Sequence, residues 1–162
     1  MSDNTHSLNR MTRNRSTLEF IHLPNVSYML TTWPLPGVDL PAANLSSPFF
    51  DMPVFGDKLE FQELEIEFPV TEYMKEWLEI FNWMYNLANP TQKQEISLTS
   101  INASMLLYTS HENPFMEIIF ENIVPISLGG LQFTEGTNQT SEITSNAVFR
   151  YRQYYFKPYG AN

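Results

Sequence analysis

The sequence lacks cysteine altogether, so disulfide bonds and thiolate metal ligands are excluded. Its three histidines lie far apart and form no HxxxH or HExxH pattern for zinc, and no acidic calcium loop is present. Glycine is scarce, with six residues and no GxGxxG or Walker pattern for binding phosphates. No GxSxG motif supplies a nucleophile. We therefore predict no metal site, no cofactor and no catalytic residue.

Long apolar runs are also missing from the sequence. Charge, proline or threonine interrupts every apolar stretch before the roughly 18 residues that a transmembrane helix needs. Residues 1–16 lack the apolar centre of a signal peptide. We therefore expect a protein that acts in a cytoplasm, or in a particle assembled there, without a membrane.

Positive charge is scarce as well. Lys and Arg number 9 against 18 Asp and Glu, which gives a net charge of −9. Residues 1–16 hold Arg10, Arg13 and Arg15 against Asp3, or +2, so the rest of the chain carries −11. Such an acidic surface repels phosphates and is not typical of nucleic-acid binding. We expect the polar, aperiodic residues 1–16 to form a mobile arm.

Apolar side chains, by contrast, are abundant. Hydrophobic residues make up 43% of the sequence and aromatic residues 14%, which suits strands and a packed core and not a disordered chain. The length fits one domain. We place that domain at residues 17–158, followed by a short tail at 159–162.

The segment Lys58–Val70 predicts a strand, because apolar and acidic residues alternate along it. The apolar side is Leu64, Ile66, Phe68 and Val70, and the acidic side is Glu63, Glu65 and Glu67. Leu59 and Phe61 are out of phase with the later apolar residues, which indicates a bulge near Gln62.

A helix over about residues 72–88 is predicted next, with Thr71 as its N-cap and Asn89-Pro90 as its end. Apolar residues recur at helical spacing, so we expect this stripe to pack on the apolar side of the preceding strand. The stripe is Met74, Trp77, Leu78, Phe81, Met84, Tyr85 and Ala88.

The remaining ordered segments read as strands. They are Leu18–Trp33 with a turn at Pro24-Asn25, Glu95–Thr109, Phe115–Ile126 after a turn at His111–Pro114, Leu131–Thr134, and Asn146–Phe156 after a polar loop at Glu135–Ser145. No fixed-period repeat is present. The predicted fold is mainly β, an antiparallel β-barrel or sandwich with one α-helix.

The segment Trp33–Asp57 is rich in both proline and apolar residues. Six of the 11 prolines fall between Pro24 and Pro53, which disfavours helix and central strand there. A long loop with this much apolar surface must pack on its own core or on another chain. The sequence up to this point leaves both options open.

The acidic residues of the strand also permit an enzymatic hypothesis. Carboxylates two residues apart on a strand lie roughly 6.5–7 Å apart, inside the ~6.5–9.5 Å range of inverting glycosidases. Any such pair meets this test, however, and catalysis also needs environments that separate the two pKa values. A solvated strand face explains Glu63, Glu65 and Glu67 better than an acid/base hydrolase does.

The order of elements resembles the tail tube protein of contractile-tailed bacteriophages, whose relatives occur in type VI secretion systems and contractile bacteriocins. The landmarks that carry this resemblance are Leu35-Pro36-Gly37, Gly56-Asp57, the strand-to-helix junction Pro69–Thr71, and Pro125 to Gly130-Leu131. The resemblance covers roughly residues 18–157, nearly the whole domain. The 16-residue polar arm departs from the family pattern and leaves open whether this is the repeating tube subunit or a ring at one end.

The resemblance implies a structural virion protein with no active site. It implies hexameric rings whose strands join into one barrel around a lumen, and rings that stack into a tube inside a contractile sheath. The expected partners are other copies of this chain, the sheath protein, and the baseplate (tube initiator) and tail terminator proteins. DNA would pass through the lumen without specific binding. The expected location is the virion tail, assembled in the host cytoplasm.

Within that family picture, residues 34–56 form an extended loop between subunits that orders on stacking. Its expected ring-stacking contacts are Leu45, Phe49, Phe50 and Phe55. The acidic strand side, Glu63, Glu65 and Glu67, is expected to face the lumen and repel DNA, partly offset by Arg150 and Arg152 if the final strand is adjacent. Two alternatives remain: a tube initiator or terminator ring of the same fold, and a monomeric β-barrel that binds a small apolar ligand.

Overall fold

A computed structural model of the protein describes residues 16–46, 49–56, 58–89, 101–109, 111–133 and 142–160. The elements in these ranges are β1 (Ser16–Phe20), α1 (Pro24–Met29), β2 (Val38–Asp39), β3 (Ala42–Ser46), β4 (Asp51–Phe55), β5 (Glu60–Phe61), β6 (Leu64–Pro69), α2 (Lys75–Ala88), β7 (Ala103–Tyr108), β8 (Pro114–Glu121), β9 (Val124–Leu128), β10 (Thr144–Arg150) and β11 (Gln153–Pro158). The mainly β, antiparallel fold predicted from the sequence is confirmed. Neither helix in the described ranges is long and apolar enough to cross a membrane. β1 begins at Ser16, the last residue of the expected arm, whose other residues lie outside the described part.

Two antiparallel sheets face each other across the core. One has four strands in the order β1-β7-β8-β11, and the other has three in the order β6-β10-β9. Phe20 of β1 and Phe149 of β10 place their ring centroids 5.0 Å apart, so the two inner faces meet directly. Alternate residues of β6 and β10 are buried in this contact, as the period-2 rule requires.

The predicted strand Lys58–Val70 is wrong as a single element. Its first part, β5, pairs with β2, whereas β6 pairs with β10. Gln62 and Glu63 separate the two parts, so the change of phase was located correctly but marks a change of partner strand and not a bulge. The apolar side of β6 is buried as expected, because Leu64, Ile66 and Phe68 are each fully enclosed.

Helix α2 begins later than predicted. Met74, with a left-handed φ of 52°, precedes its first residue Lys75, and Thr71 does not cap it. The hydroxyl of Thr71 donates instead to the Glu76 carboxylate at 3.0 Å. Glu76 is buried, and a buried carboxylate must find donors, which it takes from the turn before the helix. The predicted end of the helix at Asn89 is confirmed.

The predicted buried stripe of α2 is rotated from the true one. Ile80 and Trp83 are buried, whereas Phe81 and Tyr85 are 43% and 54% exposed. Trp77 and Met84 only border the core. The sequence pattern is ambiguous because α2 carries large apolar residues on more than one side. Two packing partners that the sequence did not predict, α1 and β9, select the side that becomes buried.

The short helix α1 replaces the predicted turn at Pro24-Asn25. Pro24 occupies the first helical position, where its missing N–H costs nothing and its fixed φ suits the helix. Val26 inserts into the core. The side-chain carboxylate of Glu79 accepts hydrogen bonds from the Asn25 side chain at 2.5 Å and from the backbone N–H of Val26 at 3.4 Å. Glu79 of α2 therefore accepts a hydrogen bond from one of the backbone N–H groups in the first turn of α1, which have no partner within the helix.

Two further predicted strands are also divided. Phe115–Ile126 breaks after β8 at Asn122, which has a φ of 52°, and the final strand breaks between β10 and β11. At both breaks the chain crosses from one sheet to the other, so a continuous strand is impossible. The predicted turn at residues 111–114 is confirmed, but Leu131–Phe133 forms no strand and Thr134 lies outside the described residues.

Candidate assembly surfaces

Within the described ranges, the hairpin β3–β4 exposes the largest group of apolar side chains near one another in the sequence. Phe49 is 89% exposed, Phe50 64%, Met52 57% and Phe55 75%. Its two strands pair with each other, from Ala42 opposite Phe55 onward, and with no other strand of the described chain. The side chain of Leu45 lies outside the described part. Three of the four expected stacking contacts therefore share one projecting, apolar ribbon.

The expected loop is a hairpin because a two-stranded ribbon tolerates the prolines. Pro53 sits within β4 opposite Asn44, and in a ribbon that consists of two edge strands its missing N–H can face outward. Gly56 closes the base by donating its N–H to the Pro41 carbonyl at 2.6 Å. A Cβ at position 56 would lie 2.5 Å from that oxygen, so the closure requires glycine.

The acidic residues of β6 lie on its solvent side. Glu65 and Glu67 are exposed, as is Glu63 just before the strand. Arg150 on the neighbouring β10 forms an ion pair with Glu63, and Asn146 donates to Glu65 at 3.0 Å. The expected proximity of the last strand is thus confirmed for Arg150. Three carboxylates against one guanidinium leave this face acidic overall.

An open groove of about 450 Å³ runs beside this acidic face. It is lined by Thr32, Pro34, Glu65, Ile66, Glu67, Gly130, Thr144, Ser145 and Asn146. The Glu67 backbone bonds to Thr32 in both directions, which fixes one wall of the groove. The side chains of Glu65 and Glu67 are both exposed on this side of β6. Among the described residues no group of three or more His, Asp or Glu could hold a metal ion.

The outer strands of both sheets present free edges. Within the described ranges β1, β11 and β9 each pair on one side only, and β6 gains only the bridge to Thr32 on its second side. Unpaired strand edges are templates for another strand and are normally covered or closed into a barrel. The fold therefore offers edges for joining copies as well as the hairpin.

Helix α2 carries an aromatic stack within the stripe that was expected to pack on the preceding strand. The rings of Trp77 and Phe81 stack at 5.3 Å, and those of Phe81 and Tyr85 at 6.2 Å. The indole N–H of Trp77 donates to the Gly129 carbonyl at 3.0 Å, which holds the stack against the end of β9. Phe81 and Tyr85 are left at the surface, on the side of the helix away from Ile80.

Comparison with known proteins gives matches by structure and not by sequence. No family model matches the chain, and no curated protein matches it. A chain of the anti-feeding prophage baseplate superposes with a TM-score of 0.61 at 10% identity, covering 94% of this chain and 99% of that chain. A chain of the tube-terminating cap of the same particle gives 0.61 at 10% identity, covering 98% and 99%.

A third similar structure is a chain of the sheath–tube complex of an extracellular contractile injection system in its extended state. It superposes with a TM-score of 0.58 at 12% identity, covering 94% of each chain. The likeness spans nearly the whole of this chain. It confirms, at the level of the fold, the resemblance to contractile tail tube proteins that the element order indicated.

Proposed function

We propose that this chain is a structural, non-enzymatic subunit that forms hexameric rings, and that the rings stack into the inner tube of a contractile phage tail or a related injection particle. The observation that carries the proposal is the combination of the tube-type fold with an exposed apolar hairpin. A stacked ring needs one surface for its lateral neighbours and another for the next ring. Free sheet edges and the hairpin β3–β4 supply two such surfaces.

The hairpin is the proposed contact between rings. Phe49, Phe50 and Phe55 would be buried against the adjacent ring, with Leu45 as the fourth contact. Exposed apolar side chains of this kind would promote aggregation of a monomer. In a tube, each subunit would bury them against the adjacent ring. We also propose that residues 37–57 gain protection from hydrogen exchange on stacking.

The acidic face of Glu63, Glu65 and Glu67 is the proposed lining of the lumen. Its exposure, and three carboxylates against the one ion-paired Arg150 in the described part of the chain, are consistent with a surface that repels DNA during ejection. If the face lies on the outside of the tube, its charge serves solubility alone. Changing all three residues to Lys separates these cases, because only a lumen lining should slow genome ejection from particles that still assemble.

A ring at one end of the tube is the second candidate. The chains of the baseplate and of the tube-terminating cap match this fold with a TM-score of 0.61, against 0.58 for the sheath–tube complex. In either role the sheath, baseplate or terminator proteins would be partners in the particle. A tube subunit should stack without limit, whereas an end ring should stop after one layer.

Electron microscopy of the purified protein tests the proposal. At high concentration, or on a nucleating template, we expect six-fold rings that extend into tubes. Single rings at every concentration would support the end-ring role instead. A protein that remains monomeric throughout would favour the apolar-ligand barrel and contradict both ring roles.

A further inference from the structure

The four-stranded sheet ends in two strands, β1 and β11, that have complementary features. We propose that β11 of one copy pairs antiparallel with β1 of the next, and that Phe156 is the side chain that anchors this joint. The inference rests on the proposed ring and names its lateral contact. The partner is a second copy of this chain.

The first feature is an open groove of about 690 Å³ along β1. It is lined by Ser16, Thr17, Leu18, Glu19, Phe20, Pro24, Ser27, Tyr28, Leu30 and Trp33. The Phe20 N–H donates to the Ser27 hydroxyl at 2.8 Å, and its carbonyl accepts from the Leu23 N–H at 3.2 Å, so its backbone groups point into the groove. By alternation, those of Leu18 and Ser16 point the same way, where no strand of the described chain lies.

The second feature is the outward edge of β11. The Tyr159 N–H donates to the Phe115 carbonyl at 3.1 Å, in register with the ladder between β11 and β8. Residues at odd positions of β11 therefore bond to β8, and the backbone groups of Tyr154 and Phe156 point away from it. Within the described ranges no strand pairs with this edge of β11, and none pairs with the outer edge of β1 at Ser16 and Leu18.

The third feature is one row of side chains across the core side of the sheet. Cross-strand pairing aligns Leu18 with Met105, Met105 with Ile118, and Ile118 with Phe156. The first three are buried, but Phe156 is 55% exposed although it points to the core side. The row is thus left uncovered at the β11 end. The groove beside β1 contains Leu30 and Trp33, which are partly buried against the core. In the proposed joint, these apolar side chains cover the exposed ring of Phe156 from the neighbouring copy.

Strand direction supports the same joint. All neighbours in the sheet are antiparallel, so β1 and β11 run in opposite directions. Rotation about the ring axis leaves the direction of each strand along that axis unchanged. β11 of one copy therefore lies antiparallel to β1 of the next copy. The three-stranded sheet cannot form an antiparallel joint between copies in a ring. Its two outer strands, β6 and β9, run in the same direction, so β9 of one copy would be parallel to β6 of the next.

Charge is complementary across the joint. Glu19 on β1 and Lys157 on β11 are both exposed, and both lie on the side of the sheet away from the core. In the joined sheet, Thr17 and Glu19 of one copy share that side with Tyr155 and Lys157 of its neighbour. Opposite charges on neighbouring strands stabilise pairing modestly and help fix the register.

Cysteine cross-linking tests the joint, because the natural chain contains no cysteine. In one copy Thr17 and Lys157 lie three strand spacings apart, about 14 Å, too far for a disulfide. Under oxidation, the double variant Thr17→Cys with Lys157→Cys, or Thr17→Cys with Tyr155→Cys, should give a ladder of linked copies. The single variants should give no ladder. Rings that form without any ladder from either pair would overturn this joint and leave the proposed function standing.

Substitution of the anchor gives an independent readout. We expect Phe156→Ser to raise the concentration needed for ring formation on the order of tenfold or more, with only a small fall in the Tm of the monomer from the lost contact with Tyr154. Tyr85→Ser is the matched control, because Tyr85 is 54% exposed and belongs to α2 and to neither edge strand. Equal effects of the two substitutions would overturn the role of Phe156. A wild-type protein that never forms rings would instead overturn the proposed function itself.

Discussion

The body of the molecule and the hairpin β3–β4 use the same kind of residue in opposite ways. Phe68, Phe120 and Phe149 are fully buried between the two sheets, whereas Phe49 and Phe55 are largely exposed. Phenylalanines in the body can stabilise the monomer, because folding removes them from water. Phenylalanines in the hairpin contribute the free energy of apolar burial only when another chain covers them. The difference separates residues that fold the subunit from residues that assemble it.

The largest effect on stability is expected in the body. Phe149 contacts Phe20 and Trp83 with ring centroids 5.0 Å and 6.2 Å away. Phe149→Ala should lower the free energy of unfolding by about 3–5 kcal/mol, measured by urea denaturation of the monomer. Phe49→Ala is the control and should change it by less than about 0.5 kcal/mol. Similar losses in both variants would contradict the division between body and hairpin.

A smaller loss of stability is expected from substitution of Gly129, which lies close to the backbone of β10. The backbone N–H of Gly129 donates to the Asn146 carbonyl at 2.7 Å, and a Cβ there would lie 3.0 Å from that carbonyl oxygen and 3.2 Å from the Asn146 backbone nitrogen. Gly129→Ala should therefore force β9 away from β10 at a cost of roughly 1–3 kcal/mol. Gly130→Ala is the matched control, since nothing lies within 4 Å of the added Cβ. Thermal unfolding of both variants compares them, and an equal Tm would contradict the close approach.

The link between the two helices should contribute about 1 kcal/mol. Glu79→Ala removes the acceptor for the Asn25 side chain and the Val26 N–H at the start of α1. The control is Glu72→Ala, because Glu72 is exposed in the turn before α2 and its substitution should leave the free energy of unfolding unchanged. Chemical denaturation measures both, and a neutral Glu79→Ala would show that α1 does not depend on this carboxylate.

A pH effect is expected from Tyr151, whose hydroxyl donates to the Gln62 carbonyl at 2.7 Å. Burial, and then the neighbouring Tyr154, raise the pKa of Tyr151 above its ordinary value of 10.0. As the pH rises through 10.0 the unfolded chain loses this proton first, so stability is constant below that pH and falls above it. Tyr151→Phe should flatten the alkaline fall. An unchanged pH profile of the Tm would contradict the assignment.

The sequence predicted those features that depend on local pattern. The alternation along β6, the end of α2 at Asn89 and the apolar character of residues 33–57 were all readable, and so was the mainly β fold. The carboxylate face of Glu63, Glu65 and Glu67 was placed correctly at the surface, but its position in a lumen stays a prediction. Local pattern sufficed because neighbouring residues alone set these features.

Other features depend on partners distant in the sequence. The side of α2 that is buried is chosen by α1 and β9, and α1 itself is only six residues long. The strands break at Asn122 and Tyr151 because the chain passes from one sheet to the other at these residues. The local sequence does not predict this change of sheet. The exposed position of Phe156 could not be predicted either. Its alternation marks it as core-facing, and only the end of the sheet leaves it uncovered.

The smallest effect on stability, and the most informative on assembly, is expected in the hairpin. The double variant Phe49→Ser with Phe55→Ser should leave the free energy of unfolding within about 0.5 kcal/mol of the natural protein. Six-fold rings should still form, but tubes should be absent from micrographs because stacking loses its apolar contact. Tubes of normal length from this variant would show that another surface stacks the rings.

Assembly of the unmodified protein is the most direct test of the account. Sedimentation across a wide concentration range, with micrographs of the same samples, measures it. We expect a concentration-dependent shift from monomer to six-fold rings and then to tubes with a continuous lumen. A single monomer peak at every concentration, without rings on the grid, would contradict the central claim that this chain builds a tube.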